Sequence, residues 1–246
     1  MSSLSGFEHK LSATKANLKG LLNSYPVRLK RFGRHLFRHK NKEEIDTSIP
    51  SLLTQPSAYF VDLFFYFLDI IAFGEFYDIS SGIIKFKTRV LSKEEIHLAK
   101  SIYGDSIDYA RVRIDEAPKL IPGRGVAAYV GINTINFVKQ KTDALFIHEL
   151  IHIWQYQNLG SVYIPRALRA QRTKEGYDYN GNRGLACAEG RSILTFNYEQ
   201  QGDIARDYFC ILNGRPCLHE KLPQEDLYLP FINEIRNKGK QNPPVA

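Results

Sequence analysis

The segment His148-Glu149-Leu150-Ile151-His152 sets two imidazoles four residues apart, with a carboxylate beside the first. On a helix, positions i and i+4 lie on one face about one turn apart, so both rings can reach a single ion. Glu149 can then project toward that ion's open coordination position. Zinc lowers the pKa of its water to about 7, and a carboxylate there can take the proton and pass it to a leaving group. His-Glu-x-x-His is the spacing this chemistry uses. The competing reading is two satisfied core histidines and a surface glutamate. Burying such groups in an otherwise apolar helix without compensation costs several kcal/mol, which favours one Zn2+ per chain.

A catalytic zinc needs a third protein ligand. Position 155 is Gln and position 158 is Asn, so a Gly/His continuation of the motif is missing, and no later HxH or HxxxH occurs. Acids on a following helix are the better source. Glu199 is the first candidate, with Asp203 four residues on and on the same face, able to hydrogen-bond the far nitrogen of a ligating histidine. Glu189 and His219 are the alternatives. Glu199 is equally explained as a first-turn acid favoured by the helix dipole. Hydrolysis also calls for a donor to the developing oxyanion. Tyr177, Tyr179, Tyr208 and His219 lie downstream, and Tyr179 is nominated, although a buried tyrosine is more often a packed residue with one satisfied hydroxyl.

The elements that must position these groups follow from patterning. Thr142 with Asp143 opens a helix that Asn158-Leu-Gly160 closes, and its apolar residues surround the axis, which places it in the core. A second helix is predicted over Asn197–Leu212. Ser92-Lys-Glu-Glu95 is a capping box opening a helix to about Tyr103. Gly82–Val90 and Tyr109–Asp115 alternate as strands, and Val126–Phe137 returns to strand character with a tight hairpin near Gly131 and Asn133. That last strand could pair with an extended substrate backbone, or be an ordinary sheet strand. Pro122–Gly125 reads as a loop without a phosphate-cradle pattern. The stretch after Asn158 is loop-rich through Gly184. The fold class is α+β, with the His-Glu-x-x-His helix central under a small sheet and a second, ligand-bearing helix beside it.

The pairing of Glu199 with an acid four residues later resembles the gluzincin layout. Ile102–Ile114, the strand through Gly131-Ile-Asn-Thr-Ile135, Phe146–Gln155 and Phe196–Tyr208 together resemble the zincin-like domains found near bacterial contractile injection systems and Rhs/Vgr secretion loci. The resemblance covers about Leu91–Phe209. It implies a metallopeptidase acting on a peptide or protein, or alternatively a non-catalytic, zinc-stabilised structural or interaction protein, in either case associated with a secretion system, and it implies no particular substrate.

The rest of the chain divides into a basic arm over residues 1–50, a zincin-like domain over 51–236 and a loose tail over 237–246. Formal net charge is +7. Residues 1–42 hold ten Lys and Arg against Glu8 alone, a net of +9, leaving 23 bases against 25 acids in residues 43–246. The arm could meet an anionic surface or be merely solvated. Sparse aromatics there give no specific nucleic-acid recognition, and His35 and His39 lack an intervening Glu. Tyr59–Phe73 is the most apolar segment, but Asp62 and Asp69 interrupt it and it falls short of the roughly 20 residues of a bilayer span. It reads as a buried or interfacial helix. Cys187, Cys210 and Cys217 lack CxxC spacing and read as free thiols, a Cys210–Cys217 bridge being the one alternative. No signal-peptide pattern is visible, so cytoplasmic synthesis is expected, with export by a dedicated secretion system.

Overall fold

The computed structural model describes residues 21–37, 56–84, 88–119 and 125–238. It is an α+β chain with nine helices and one small mixed sheet among those residues. Helix α1 spans 21–37. There follow α2 (Pro56–Ile70), α3 (Phe73–Ile84), strand β1 (Thr88–Val90), α4 (Lys93–Tyr103), β2 (Arg113–Asp115), β3 (Ala128–Gly131) and β4 (Thr134–Phe137). The second half is helical: α5 (Asp143–Leu159), α6 (Tyr163–Ala170), α7 (Gly181–Cys187), α8 (Tyr198–Leu212) and α9 (Glu225–Lys238).

The sheet order is β1-β2-β4-β3, with β2 and β4 parallel and both outer pairs antiparallel. β3 therefore stands at one edge. Ile132, between β3 and β4, has φ 61°, a conformation costly for a β-branched residue. It is buried against Tyr156 and Tyr163, while its neighbour Asn133 donates from Nδ2 to Asp78 at 2.7 Å.

α5 is the central helix. Thr142 caps its N-terminus by accepting from the Leu145 N–H, and residues Phe146 to Tyr156 are all buried. It packs between the sheet and α8, and one core joins Ile102, Ile114, Ile135, Leu150, Trp154, Phe209 and Phe231. Gly160 closes it with φ 86°, and a side chain there would also run into the Asp69 carboxylate. α8 begins with a capping box in which Asn197 and Gln200 bond each other's backbone N–H.

Four sequence expectations are corrected. Gly82–Ile84 belong to α3, and of the predicted Gly82–Val90 strand Thr88–Val90 is one; residues 85–87 lie outside the described residues. Tyr109–Arg111 is a 3-10 turn, capped by the Asp108 side chain, and the strand is confined to Arg113–Asp115. The loop-rich stretch after Asn158 contains α6 and α7. Asn237 and Lys238, placed in the expected loose tail, belong to α9; residues 239–246 lie outside the described residues, as do 1–20, 38–55 and Pro122–Arg124. The three cysteines are free.

Candidate metal centre

Helices α5 and α8 pack side by side and bring their polar residues to one point. From α5 come His148, Glu149 and His152; from the first and second turns of α8 come Glu199 and Asp203. Glu199 Oε2 lies 3.5 Å from His148 Nε2 and 3.6 Å from His152 Nε2. Ligand atoms of His148, His152 and Glu199 fall within 4.8 Å of one another, and all three residues are buried. This His-His-Glu group could hold a metal ion.

The outer hydrogen bonds decide which atoms face the centre. His148 Nδ1–H donates to Asp203 Oδ1 at 2.8 Å, and His152 Nδ1–H donates to Gln155 Oε1 at 2.9 Å. The Gln155 amide is oriented by its own donation from Nε2 to Tyr198 O and Gln201 Oε1, which leaves only its oxygen for His152. Both histidines thus present Nε2 to Glu199. Gln171, just past α6, donates to Glu199 Oε1 at 2.9 Å, leaving Oε2 as the inward oxygen. Two imidazole nitrogens and a carboxylate oxygen form a donor set suited to zinc, each ligand held by a partner on its far side.

Electrostatics agree with this division. Burial alone would lower His148, but the Asp203 and Glu199 carboxylates outweigh it and lift it to about 10. Burial works against ionising Asp203, yet bonds from His148 and His219 hold it down at about 2. Glu199 is likewise held well below the usual carboxylate range: the two histidines overcome its burial. Glu149 is raised by burial, the two histidines only partly opposing this. It is 6% exposed, and no hydrogen bond holds its carboxylate among the described residues. A buried carboxylate without a fixed partner is free to take and release a proton.

The remaining sequence candidates separate. Glu189 is exposed and outside the donor group. His219 donates from Nε2 to Asp203 Oδ2 at 2.6 Å, so Asp203 bridges His148 and His219. The Tyr179 hydroxyl is committed elsewhere: it donates to Asp207 Oδ2 at 2.6 Å and meets the Tyr228 hydroxyl at 2.7 Å. Of the downstream tyrosines considered from the sequence, the one beside the centre is Tyr177, whose ring lies 5.9 Å from that of His148; Tyr163 stacks on His152 at 6.2 Å. The Tyr177 hydroxyl is raised by burial and by the Glu199 and Glu149 carboxylates. Sequence reasoning passed over Gln155, Gln171 and Asp207. Gln155, three residues after His152 on the same helix, was findable by spacing; Gln171 and Asp207 reach the site only through tertiary packing.

No protein-family model matches the chain. It is similar to the type VI secretion system spike protein VgrG2b of Pseudomonas aeruginosa, at 35% identity over 135 residues. The match takes in 49% of this chain and spans 13% of the length of that protein. Among solved structures it resembles the effector domain of Pseudomonas aeruginosa VgrG2b, with 26% identity and a TM-score of 0.40, over 71% of this chain and 96% of that one.

Proposed function

We propose that this chain is a zinc-dependent hydrolase of a secretion-system effector, with a zincin-like domain over residues 51–236 that cleaves peptide bonds. The observation that carries this is the convergence of His148 Nε2, His152 Nε2 and Glu199 Oε2, each oriented from behind by Asp203, Gln155 and Gln171. Zinc held there would supply a Lewis acid and a water acidic enough to ionise near neutral pH. The chain's own residues do the rest. Glu149, with its pKa raised and its carboxylate unbonded, accepts a proton as general base and returns it to the leaving amine as general acid. The Tyr177 hydroxyl, near His148 and Glu199, is the donor placed for a developing oxyanion, in place of Tyr179. The edge strand β3 offers backbone groups to an extended peptide.

The similarity to a type VI spike protein supports delivery by a secretion system. Burial of all three donors also suits a second reading, a non-catalytic interaction protein in which zinc only stabilises the fold. One experiment separates the two. Zinc-loaded wild-type protein and Glu149→Gln are incubated with a diverse peptide library and products are read by mass spectrometry. Hydrolysis requires cleavage by wild type and a loss of about a hundredfold or more in the variant, the upper part of what a positioned acid–base group contributes. Zinc retention with no cleavage by either protein supports the structural reading.

A further inference from the structure

Helix α2 is inside out. A surface helix ordinarily turns its apolar stripe inward and its charges to water. The only charged residues of α2, Asp62 and Asp69, are 1% and 2% exposed, whereas Phe60, Phe64, Phe67 and Ile71 are 65%, 56%, 48% and 52% exposed. At 100° per residue, those four side chains lie on the side of the axis opposite Asp62 and Asp69. The same inversion continues into α3. Glu75 and Asp78 are buried, while Phe73 and Phe76 are out in solvent. No Lys or Arg occurs between residues 56 and 84.

The inward carboxylates are all engaged, so the orientation is fixed. Asp62 takes Arg166 and Arg169 of α6, and Asp69 accepts from the Ser161 N–H and hydroxyl. Glu75 binds Arg28 and Arg111, and Asp78 accepts from Asn133. Rotating α2 to hide its phenylalanines would break these bonds and strand buried arginines, a large cost.

Beside α2, antiparallel to it, runs α1: Tyr25 reaches Ile70 O, Arg28 reaches Asp69 O, and His35 stacks on Tyr59. It exposes Leu22, Leu29 and Leu36 at seven-residue intervals, and Lys30 and Arg34 are exposed as well. Around it the sequence is strongly cationic, residues 1–42 carrying a net of +9. An exposed face dominated by Phe60, Phe64, Phe67, Phe73 and Phe76, with Tyr77 among them and Lys30 and Arg34 exposed on the neighbouring α1, matches the interfacial zone of an anionic bilayer better than a protein partner, whose contact surface normally mixes in more polar partners. No helix among the described residues is long and apolar enough to cross a membrane, so the contact is one of lying on the surface.

From this we infer that the α1–α2–α3 face is a membrane-docking surface for anionic phospholipid. The inference is independent of the hydrolase reading, because none of these exposed residues belongs to the metal centre. α6 links the two regions: Arg166 and Arg169 grip α2, and Gln171 just beyond binds Glu199. Docking through α2 therefore fixes how the metal centre is presented to the bilayer.

The test is sedimentation of the full chain with vesicles of phosphatidylglycerol and phosphatidylcholine, against phosphatidylcholine alone, with light scattering on the free protein. Wild type should bind the phosphatidylglycerol vesicles, and less so as salt rises. Phe60→Ser/Phe64→Ser should weaken binding about tenfold or more at an unchanged melting temperature, since both side chains are already in solvent. Lys30→Glu/Arg34→Glu should weaken it on phosphatidylglycerol. Wild-type protein that stays in the supernatant overturns the inference, as does a phenylalanine variant that binds like wild type. So does self-association that the phenylalanine variant abolishes without any vesicle binding, which would assign the face to a second copy of the chain.

Discussion

Gly202 lies so close to His148 that a β-carbon built on it would come within 2.6 Å of the imidazole Cε1 and 2.8 Å of Nδ1. The glycine precedes Asp203, the acceptor of the His148 Nδ1 proton, so one tight turn of α8 both clears space for the ring and fixes its tautomer. Gly202→Ala must push α8 from α5 or rotate His148 off the shared point with His152 and Glu199. Zinc affinity, measured by chelator competition, should fall by about tenfold or more, although alanine is otherwise the better helix former.

Asp203 and Gln155 do the same task for the two histidines with different chemistry. Asp203→Asn keeps an acceptor for His148 but removes the charge that strengthens its basicity, and Gln155→Leu leaves the buried His152 Nδ1–H with none. Each should weaken zinc binding by about 10- to 100-fold. Titration calorimetry with zinc checks both. An effect of Gln155→Leu as small as a surface substitution would mean that His152 is oriented by something else.

The buried pairing of Asp62 with Arg166 and Arg169 gives a stability prediction. Asp62→Ala leaves Arg166, whose side chain is 13% exposed, without its carboxylate, and should cost about 3 kcal/mol or more in chemical denaturation. Replacing both partners, Asp62→Leu with Arg166→Met, should recover most of that loss, because the penalty belongs to the stranded charge and not to the pair.

Asp78 gives the pH dependence. Burial raises its carboxyl from 3.8 to about 7, with hydrogen bonds from Asn133 opposing. A folded-state pKa above the unfolded one means that the native state holds the proton more tightly, so this contribution is complete below about pH 4 and is lost as pH rises through about 7. Asp78→Asn retains an acceptor for Asn133 and cannot ionise. Its melting temperature should match wild type near pH 4 and exceed it by about 3–6 °C near pH 8, read by thermal melts across pH. A difference that does not change with pH would show that Asp78 stays ionised throughout.

The local signals were the legible ones. Thr142 before an apolar run and Ser92 with Glu95 marked two helix starts, because a cap is an interaction over three residues. The choice of Glu199 over Glu189 was reachable through Asp203, whose spacing of four anticipates one helix face. What sequence patterning missed depends on packing. Tyr179 and Tyr177 are two residues apart and chemically identical, and only the positions of Asp207 and Tyr228 show that the first is occupied. The strand assigned to Gly82–Val90 was begun too early, because its alternation starts inside α3, where Gly82, Ile83 and Ile84 end a helix, while Thr88–Val90 is a strand. The apolar run from Tyr59 correctly suggested a helix; its inverted orientation follows from Arg166, Arg169 and Ser161, a hundred or so residues downstream.

The claim on which the rest depends is that His148, His152 and Glu199 bind one divalent ion. Metal content by mass spectrometry after zinc loading and desalting tests it directly. Wild type and Glu149→Gln should each retain about one zinc per chain, and His148→Ala/His152→Ala should retain none while keeping its helical circular dichroism. A correctly folded wild-type protein that emerges free of zinc would contradict it.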